Sequence, residues 1–345
     1  MTPYTPGEQP QNIETYTKLN TNENPYPPSP KVIKALQDFD PARLRLYPDP
    51  NWQELQKAAS DFFKIPVEYI FCGNGSDEIL DNIIRSFADP EDTVAMPNPN
   101  YSLYEVLCDI YGIKYTYVPS LMPDFTADFE SLAKIPSKLI FFSNPNAPTG
   151  RYFPLSQIEA FIKNYNGVFI CDEAYIQFGG ESAIPLTKKY DNLLVVRTFS
   201  KAFSLAGLRV GFAIGSPSLI EGLMRAKDSY NLNFYQQIGG VAALQDGDYS
   251  ADCCRKIISE RERLSAALQE IGFTVIPSTA NFIFCKPPVG SAEDTYMRLK
   301  EQKILIRYWS KELIRDWVRI TIGTKEQNNI LIQTAKAIYS GKVTG

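Results

Sequence analysis

The chain has 345 residues and contains no histidine. Without an imidazole group, Ser-His-Asp and Cys-His catalysis, histidine-ligated zinc and a histidine general base are all excluded. Acid–base chemistry near neutral pH must therefore come from lysine, tyrosine, cysteine, a carboxylate or a bound cofactor.

Concentrated basic charge, long apolar runs and paired cysteines are also missing. The net charge is −4, from 35 lysines and arginines against 39 aspartates and glutamates, so we expect no nucleic-acid partner and no membrane surface. No run approaches the ~20 apolar residues of a membrane-spanning helix. The first 30 residues lack the apolar core of a secretory signal, and none of the six cysteines forms a C-x-x-C pair. We therefore predict a cytoplasmic protein with reduced thiols and no metal site.

The composition that remains is typical of a large globular protein, with 44% hydrophobic and 21% charged residues. Residues 1–35 are rich in proline, and we predict that they form an arm that packs with the smaller domain and the active site. Residues 36–245 alternate predicted strands and helices, which favours an α/β domain with a mostly parallel central sheet and helices on both faces. Residues 246–345 predict a smaller α+β domain.

Short strands are predicted from apolar, β-branched and aromatic runs. In the large domain they cover 69–72, 93–96, 114–118, 139–142, 168–171, 193–197 and 210–214. In the smaller domain they cover 274–276, 281–285, 305–307 and 318–322. A long charged helix is predicted over residues 252–271, between the two groups.

Ligands of open α/β sheets bind at the carboxyl ends of the strands. Six polar or glycine-rich turns follow or adjoin the predicted strands, and we expect them to converge on one rim of the sheet. These turns are residues 73–78, 98–101, 143–150, 172–175, 198–201 and 208–209.

Lys201 and Asp172 are the ionisable residues of most interest at this rim. A lone lysine after a strand is usually a solvated surface residue, but Lys201 lies in a stretch with few other charges. A partly buried lysine has a lowered pKa and is a nucleophile toward aldehydes. Asp172 follows an apolar strand, where an aspartate most often caps a helix; its functional role would be to face a cationic ring nitrogen. Tyr175 follows three residues later, on the same side of a turn.

The segment Gly73-Asn74-Gly75-Ser76 precedes a predicted helix. Its free backbone N–H groups and the helix dipole would attract a phosphate, although a tight turn explains the same residues. Ser200 and Arg209 would add a hydroxyl and a guanidinium. Tyr101 would offer a flat face to a ring, or would merely pack at the start of a helix. Together these groups describe a socket for pyridoxal 5′-phosphate.

Seven stretches carry a family resemblance in a common order along almost the whole chain. The sequence resembles the fold-type I PLP-dependent enzymes of the class I/II aminotransferase family, and within it the histidinol-phosphate aminotransferases. The stretches are LNTNENPY from Leu19, YPDP from Tyr47, GNGSDEIL from Gly73, SNPNAPTG from Ser143, DEAY from Asp172, TFSKAFSLAGLRVGF from Thr198 and VRITIGT from Val318.

The resemblance implies a role for each matching residue. Lys201 would carry the cofactor as an aldimine and move the substrate proton, and Asp172 would keep the pyridine nitrogen protonated. Tyr175 and Asn144 would bond the ring oxygen. A homodimer with shared active sites is implied, because Tyr47 would reach the phosphate of the neighbouring subunit's cofactor. The other cofactor-binding residues implied are Gly75, Ser76, Asp77, Tyr101, Thr198, Ser200 and Arg209.

The resemblance also implies a ping-pong exchange of amino groups between histidinol phosphate and 2-oxoglutarate, a step of histidine biosynthesis. Arg319 would bind the substrate anion, and Arg307 is either a second ligand of the phosphate or a solvated charge at a strand end. The remaining implied substrate-binding residues are Asn22, Tyr26 and Asn144. Arg307 is followed by the bulky pair Tyr308-Trp309, which leaves room for an aromatic amino acid. An aromatic aminotransferase therefore stays open as an alternative, and so does a threonine-phosphate decarboxylase of cobalamin synthesis, which shares these motifs.

Overall fold

A computed structural model describes residues 4–340 of the chain. In chain order its strands are β1 (Thr17–Lys18), β2 (Ile70–Gly73), β3 (Thr93–Asn98), β4 (Lys114–Pro119), β5 (Leu139–Ser143), β6 (Val168–Asp172), β7 (Leu193–Thr198), β8 (Gly211–Gly215), β9 (Thr274–Ile276), β10 (Phe282–Lys286), β11 (Ile304–Leu305), β12 (Arg307–Tyr308) and β13 (Val318–Thr321). Its helices are α1 (Pro30–Gln37), α2 (Gln53–Phe63), α3 (Gly75–Phe87), α4 (Leu103–Tyr111), α5 (Phe129–Ala133), α6 (Leu155–Ile162), α7 (Pro217–Ala226), α8 (Phe234–Leu244), α9 (Gly247–Ile271), α10 (Ala292–Glu301) and α11 (Lys325–Tyr339).

The central sheet has seven strands in the order β2-β8-β7-β6-β5-β3-β4. Strand β8 is antiparallel to both of its neighbours, β2 and β7, and the other pairings are parallel. Every residue of β2, β5, β7 and β8 is buried, as expected for strands covered on both faces. The predicted α/β class with a mostly parallel sheet is confirmed.

The reversed direction of β8 explains how the sixth turn reaches the site. The carboxyl ends of β2, β3, β5, β6 and β7 lie at one rim of the sheet. Because β8 runs the other way, its amino end lies at that same rim, which places the preceding residue pair 208–209 there. A sequence pattern of apolar runs carries no strand direction, so the antiparallel strand was not predicted.

A second, smaller sheet has the order β12-β13-β10-β9 and is antiparallel throughout. The single strand predicted over 305–307 was wrong. Residues 304–305 form β11, which pairs in parallel with β1 of the arm, whereas residues 307–308 form β12 at the edge of the smaller sheet. One short run therefore links the arm to the smaller sheet. The domain boundaries at 35/36 and 245/246 stay a prediction. Residues 1–3 of the arm and residues 341–345 of the smaller domain lie outside the described residues.

Helix α9 begins at Gly247, five residues before its predicted start. In the sequence, Asp246 and Gly247 are typical of a turn. Asp248 nevertheless lies in the first turn of the helix, where its carboxylate interacts favourably with the positive end of the helix dipole. In the part of the chain that is described, no helix has the length and apolar character needed to cross a membrane. The six cysteines are all buried and carry free thiols.

Candidate active site

A cavity of about 230 Å³ opens at the rim of the central sheet. Residues of the arm, the sheet rim and the smaller sheet all contribute to its wall. The predicted site residues that line it are Asn22, Ser76, Asp77, Tyr101, Asp172, Tyr175, Thr198, Ser200, Lys201, Arg209, Arg307 and Arg319. Nine of these twelve belong to the predicted turns, and all six turns contribute residues to the wall, so they converge on one cavity as expected.

Lys201 lies in the turn after β7, and its ammonium group points into this cavity. Its Nζ donates a hydrogen bond to the Thr21 carbonyl at 3.3 Å and lies 5.8 Å from the ring centroid of Tyr175. Burial, followed by the positive charge of Arg319, lowers the pKa of Lys201 to about 8. A neutral amine is therefore accessible near physiological pH, as a nucleophile and a base require.

Asp172 is the last residue of β6 and is 4% exposed. Burial raises the pKa of its carboxyl to about 6. Two donors stabilise the ionised form: the Tyr104 hydroxyl at 2.7 Å from Oδ2 and the Ala174 N–H at 3.1 Å from Oδ1. At neutral pH the carboxylate is therefore charged and fixed in orientation, which suits it to face a cationic ring nitrogen.

Tyr175 and Asn22 are joined across the cavity wall. The Asn22 side-chain amide donates to the Tyr175 hydroxyl oxygen at 3.0 Å, and Thr321 Oγ1 donates to Asn22 Oδ1 at 3.1 Å. Burial raises the pKa of the Tyr175 phenol. The arm is thereby attached to both the large sheet and β13 at the cavity.

We define the anion cup as Ser76, Asp77, Thr198, Ser200 and Arg209. Four of its members, Asp77, Thr198, Ser200 and Arg209, are hydrogen-bonded to one another. Arg209 donates through Nη1 to Ser200 Oγ at 3.1 Å and through Nη2 to Asp77 Oδ2 at 2.8 Å. The Ser200 N–H donates to Thr198 Oγ1 at 3.1 Å. The cup joins the start of α3, the end of β7 and the turn before β8.

Gly75 is needed where the cup is tightest. It has a φ of +75°, and a Cβ built on it would lie 2.4 Å from Arg209 Nη2. A side chain at this position would strain the backbone and displace the guanidinium. Gly75 therefore contributes to the cup by its lack of a side chain.

Asn144 is not part of the cavity wall. Both ends of its amide bond the Phe153 backbone, with Nδ2 donating to the carbonyl at 3.0 Å and Oδ1 accepting from the N–H at 2.9 Å. One hydrogen of Nδ2 is not used by these bonds, and the expected contact of this side chain with a ring oxygen or substrate stays a prediction. Ala147 and Pro148 of the same segment line the cavity.

Two arginines reach the cavity from the smaller sheet, and they differ in their partners. Arg319 Nη2 donates to the Asn20 carbonyl at 3.0 Å, and its buried Nε has no partner among the described residues. Arg307 instead donates to the carbonyls of Thr5 and Pro6, at 2.6 and 2.9 Å. The Trp309 ring lies between the two, 5.1 Å from Arg319 Cζ and 5.2 Å from Arg307 Cζ.

Two further predicted residues lie away from the cavity of this single chain. Tyr47 is 76% exposed and stacks on Tyr230, with centroids 4.3 Å apart. The expectation that Tyr26 closes over the site stays a prediction; in the single chain its ring centroid lies 5.5 Å from Lys256 Nζ. The arm covers the cavity with Tyr4 and Gly7.

Tyr104 and Trp309 were not predicted as site residues. Tyr104 follows Tyr101 by three residues in a pattern that ordinary helix packing also produces, and only its hydroxyl contact with Asp172 distinguishes it. Trp309 was noted for its bulk, but its place between two guanidinium groups depends on the pairing of β12 with β13.

The groups of the cavity fit pyridoxal 5′-phosphate. The buried Lys201 amine meets the requirement for bonding an aldehyde, and Asp172 the requirement for pairing with a protonated ring nitrogen. The Arg209 guanidinium and the hydroxyls of the anion cup suit a phosphate. No cluster of three or more carboxylate or cysteine ligands that would hold a metal is found in residues 4–340.

A cavity that fits covalently bound pyridoxal 5′-phosphate, at the rim of an α/β sheet with this strand order, is typical of a PLP-dependent enzyme of the transferase class. The family model described as "Aminotransferase class I and II" matches residues 14–334, and the chain belongs to that family. A histidinol-phosphate aminotransferase 2 of Dechloromonas aromatica is 45% identical to it, covering 98% of this chain and 96% of that protein. A histidinol-phosphate aminotransferase of Brachyspira hyodysenteriae is 47% identical, with 97% and 96% covered.

The fold is also that of a solved histidinol-phosphate aminotransferase. The Sinorhizobium meliloti enzyme, in complex with pyridoxal 5′-phosphate, superimposes with a TM-score of 0.85 at 22% identity, covering 93% of this chain and 91% of that chain.

Proposed function

We propose that the protein is a PLP-dependent aminotransferase that acts on histidinol phosphate and 2-oxoglutarate, giving imidazole acetol phosphate and glutamate. The observation that carries the proposal is the meeting of Lys201 and Asp172 in one cavity with the anion cup. The 45–47% identity with histidinol-phosphate aminotransferases over nearly the full length supports the choice of substrate. The reaction belongs to histidine biosynthesis.

The cofactor, when bound, supplies an electron-accepting ring next to the carbon that carries the donor's amino group. Lys201 Nζ would hold the cofactor by its aldehyde carbon. Once the substrate amine has displaced it, the free amine would take the proton from the substrate carbon that bears the amino group and pass it to the cofactor's aldehyde carbon. The charge of Asp172 would keep a proton on the ring nitrogen, and Tyr175 would donate to the ring oxygen. Tyr101 would contact one face of the ring, and the anion cup would bind the phosphate.

Arg319 is the proposed ligand of the substrate anion. Its guanidinium lacks a carboxylate partner within 4 Å among the described residues, and it faces Lys201 closely enough to lower the pKa of that amine. The same group would take the donor's phosphate in one half-reaction and a carboxylate of glutamate in the other. Arg307 would join it after release of the Thr5 and Pro6 carbonyls.

We further propose a homodimer with shared active sites. Tyr47 lies on the surface with the exposed side chains of Leu44, Leu46 and Tyr230. This apolar group would be buried against a second copy, from which Tyr47 would approach the neighbouring cofactor's phosphate. We place the enzyme in the cytoplasm, where free thiols such as these six stay reduced.

An aromatic amino acid is the second candidate donor. Trp309 and Ile314 give the cavity one apolar wall beside Arg319, and a phenyl ring would pack there while its carboxylate binds the guanidinium. This wall would equally contact an imidazole ring, so the substrate must be decided by experiment.

The deciding experiment is a set of half-reactions with single donors. Holoenzyme is mixed with histidinol phosphate, phenylalanine or phosphothreonine, and conversion of the cofactor to its amine form is followed by absorbance. We expect the largest kcat/KM with histidinol phosphate. No conversion with this donor would contradict the proposed substrate, and faster conversion with phenylalanine would favour the second candidate.

A further inference from the structure

Gln236 lies behind the anion cup without lining the cavity. It belongs to the first turn of α8 and is 4% exposed. Its side-chain NH₂ group reaches from α8 toward the segments that carry Gly75 and Arg209. Because this buried polar side chain does not line the cavity, its role must be something other than direct contact with a ligand.

Each polar atom of the Gln236 amide has a partner. Oε1 accepts from the Asn233 N–H at 2.7 Å, which closes a capping box at the start of α8. Nε2 donates to Asn74 Oδ1 at 2.7 Å and to the Arg209 carbonyl at 2.7 Å. Because the oxygen is held by Asn233, only the NH₂ group can face the two acceptors. The amide orientation is thus fixed.

The two acceptors belong to opposite halves of the cup. Asn74 precedes α3, whose first turn carries Gly75, Ser76 and Asp77. Arg209 has a φ of +59°, a left-handed conformation that is uncommon for a residue with a side chain. A position of this kind persists when surrounding contacts hold it, and the bond from Gln236 to the Arg209 carbonyl is such a contact.

The spacing between these halves is close to its steric limit. The Cβ that Gly75 lacks would lie 2.4 Å from Arg209 Nη2, and a Cβ on Gly211 would lie 2.7 Å from the Gly75 carbonyl carbon. A small shift of either segment therefore changes the relative position of the α3 N–H groups and the guanidinium. Both groups would have to contact one phosphate.

We propose that Gln236 is a positioning residue for the cofactor's phosphate, which it serves by holding Asn74 and the Arg209 backbone at a fixed separation. The inference rests on the proposed function, because it requires a phosphate-bearing cofactor in the cup. It does not require histidinol phosphate to be the donor.

Gln237 provides a matched control on the same helix. Its Nε2 also donates to two backbone carbonyls, those of Asp49 at 2.9 Å and Leu232 at 3.1 Å. Neither residue lines the cavity. Gln237→Leu therefore removes the same kind of hydrogen bonds from α8 without touching the cup.

The experiment compares two ligands that differ only in the phosphate. Apoenzyme of the wild type, Gln236→Leu and Gln237→Leu is titrated with pyridoxal 5′-phosphate and with pyridoxal, and binding is followed by absorbance and tryptophan fluorescence. We expect Gln236→Leu to raise the Kd for pyridoxal 5′-phosphate about tenfold, equivalent to about 1.4 kcal/mol, with the Kd for pyridoxal within about twofold of the wild type. Gln237→Leu should change neither Kd.

General damage to the fold would weaken the binding of both ligands. An equal loss of affinity for the two ligands, or no loss for either, therefore overturns the inference. Should Gln236→Leu fail to fold, Asn74→Ala decides, because it removes one acceptor from an exposed residue. A loss selective for the phosphorylated ligand supports the inference there, and its absence overturns it.

The proposed function fails in a different way. Wild-type protein that binds neither ligand contradicts the proposed function and this inference with it. Protein that shows the selective loss but does not convert histidinol phosphate contradicts the proposed substrate alone.

Discussion

Lys201 and Asp172 have pKa values that burial moves toward each other, to about 8 and about 6. At pH 7 the carboxylate is ionised and an appreciable fraction of the amine is neutral. Without histidine in the chain, these two groups supply the charge and the base that the proposed chemistry needs. Removal of these two groups from water therefore brings their pKa values into the range needed for acid–base chemistry at neutral pH.

Asp172 should lower the stability of the cofactor-free protein above pH 6. Its folded-state pKa of about 6 lies above the ~3.9 of an unfolded chain. Between these two pH values the folded state binds more protons than the unfolded state, so the free energy of unfolding falls as the pH rises from ~4 to about 6. A shift of about two units corresponds to about 3 kcal/mol. Urea unfolding should find Asp172→Asn more stable than the wild type at pH 8, by up to that amount.

The gain from Asp172→Asn should shrink as the pH falls from about 6 and vanish by pH ~3, below both pKa values, where the folded and unfolded states of the wild type are both protonated. A gain that does not depend on pH would contradict the shift. The holoenzyme of the same variant should bind cofactor and lose most of its rate, because the ring nitrogen has lost its anionic partner.

Tyr104→Phe should move the acid limb of the pH–rate profile. The hydroxyl bond to Asp172 stabilises the charged carboxylate by about 1.5–3 kcal/mol, so its removal raises the pKa of Asp172 by about 1–2 units. We expect kcat to fall at a correspondingly higher pH. Tyr111→Phe is the control, since that hydroxyl bonds Asp81 at 2.8 Å from the same helix. Identical acid limbs in the two variants would disprove the role of Tyr104.

The sequence identified the residues whose chemistry depends on strand position, and missed those whose role depends on a partner. Lys201 and Asp172 each follow an apolar strand, and the parallel arrangement brings such positions together. The bonds between the Asn144 amide and the Phe153 backbone were not predicted. Tyr104 was not singled out, because its partner Asp172 is 68 residues away. Local pattern does not encode such distant pairs.

At the level of elements, the start of α3 is the part of the cup most sensitive to substitution. Gly75→Ala should weaken pyridoxal 5′-phosphate binding at least tenfold, because the new Cβ would displace Arg209. Left-handed backbone also costs an alanine about 1 kcal/mol of stability. Titration of the apoenzyme and urea unfolding measure the two effects.

Gly112→Ala is the control that separates the backbone strain of a left-handed alanine from the steric clash of its Cβ with a neighbour. Gly112 ends α4 with a φ of +67° and has nothing within 4 Å of its ideal Cβ. It should lose similar stability and keep its cofactor affinity. Equal affinities in the two alanine variants would show that the cup tolerates a side chain at position 75.

Element boundaries were predictable to within a few residues for the central sheet, and less so where pairing decides. Residues 305–307 were predicted as one strand, but residues 304–308 form two strands in two sheets, because β11 pairs with the arm and β12 with β13. The direction of β8 was equally invisible. Pairing partners lie far apart in the chain, and apolar periodicity does not identify them.

At the scale of the whole molecule, the shared-site dimer predicts complementation between two impaired variants. Lys201→Ala should be inactive, and Tyr47→Ala should be weakened if Tyr47 serves the neighbouring cofactor. Mixed dimers contain one site with both native residues. Activity after unfolding and refolding the two proteins together should therefore exceed the sum of the separate proteins. Activity that is merely additive would contradict a role for Tyr47 in the partner's site.

The central claim is that Lys201 Nζ bonds the cofactor's aldehyde. Borohydride reduction of the holoenzyme, followed by peptide mass spectrometry, tests it most directly. The account predicts the mass of the reduced cofactor on the peptide that contains Lys201 and loss of that label in Lys201→Ala. A label on another lysine of the cavity wall, such as Lys311, or no label at all, would contradict it.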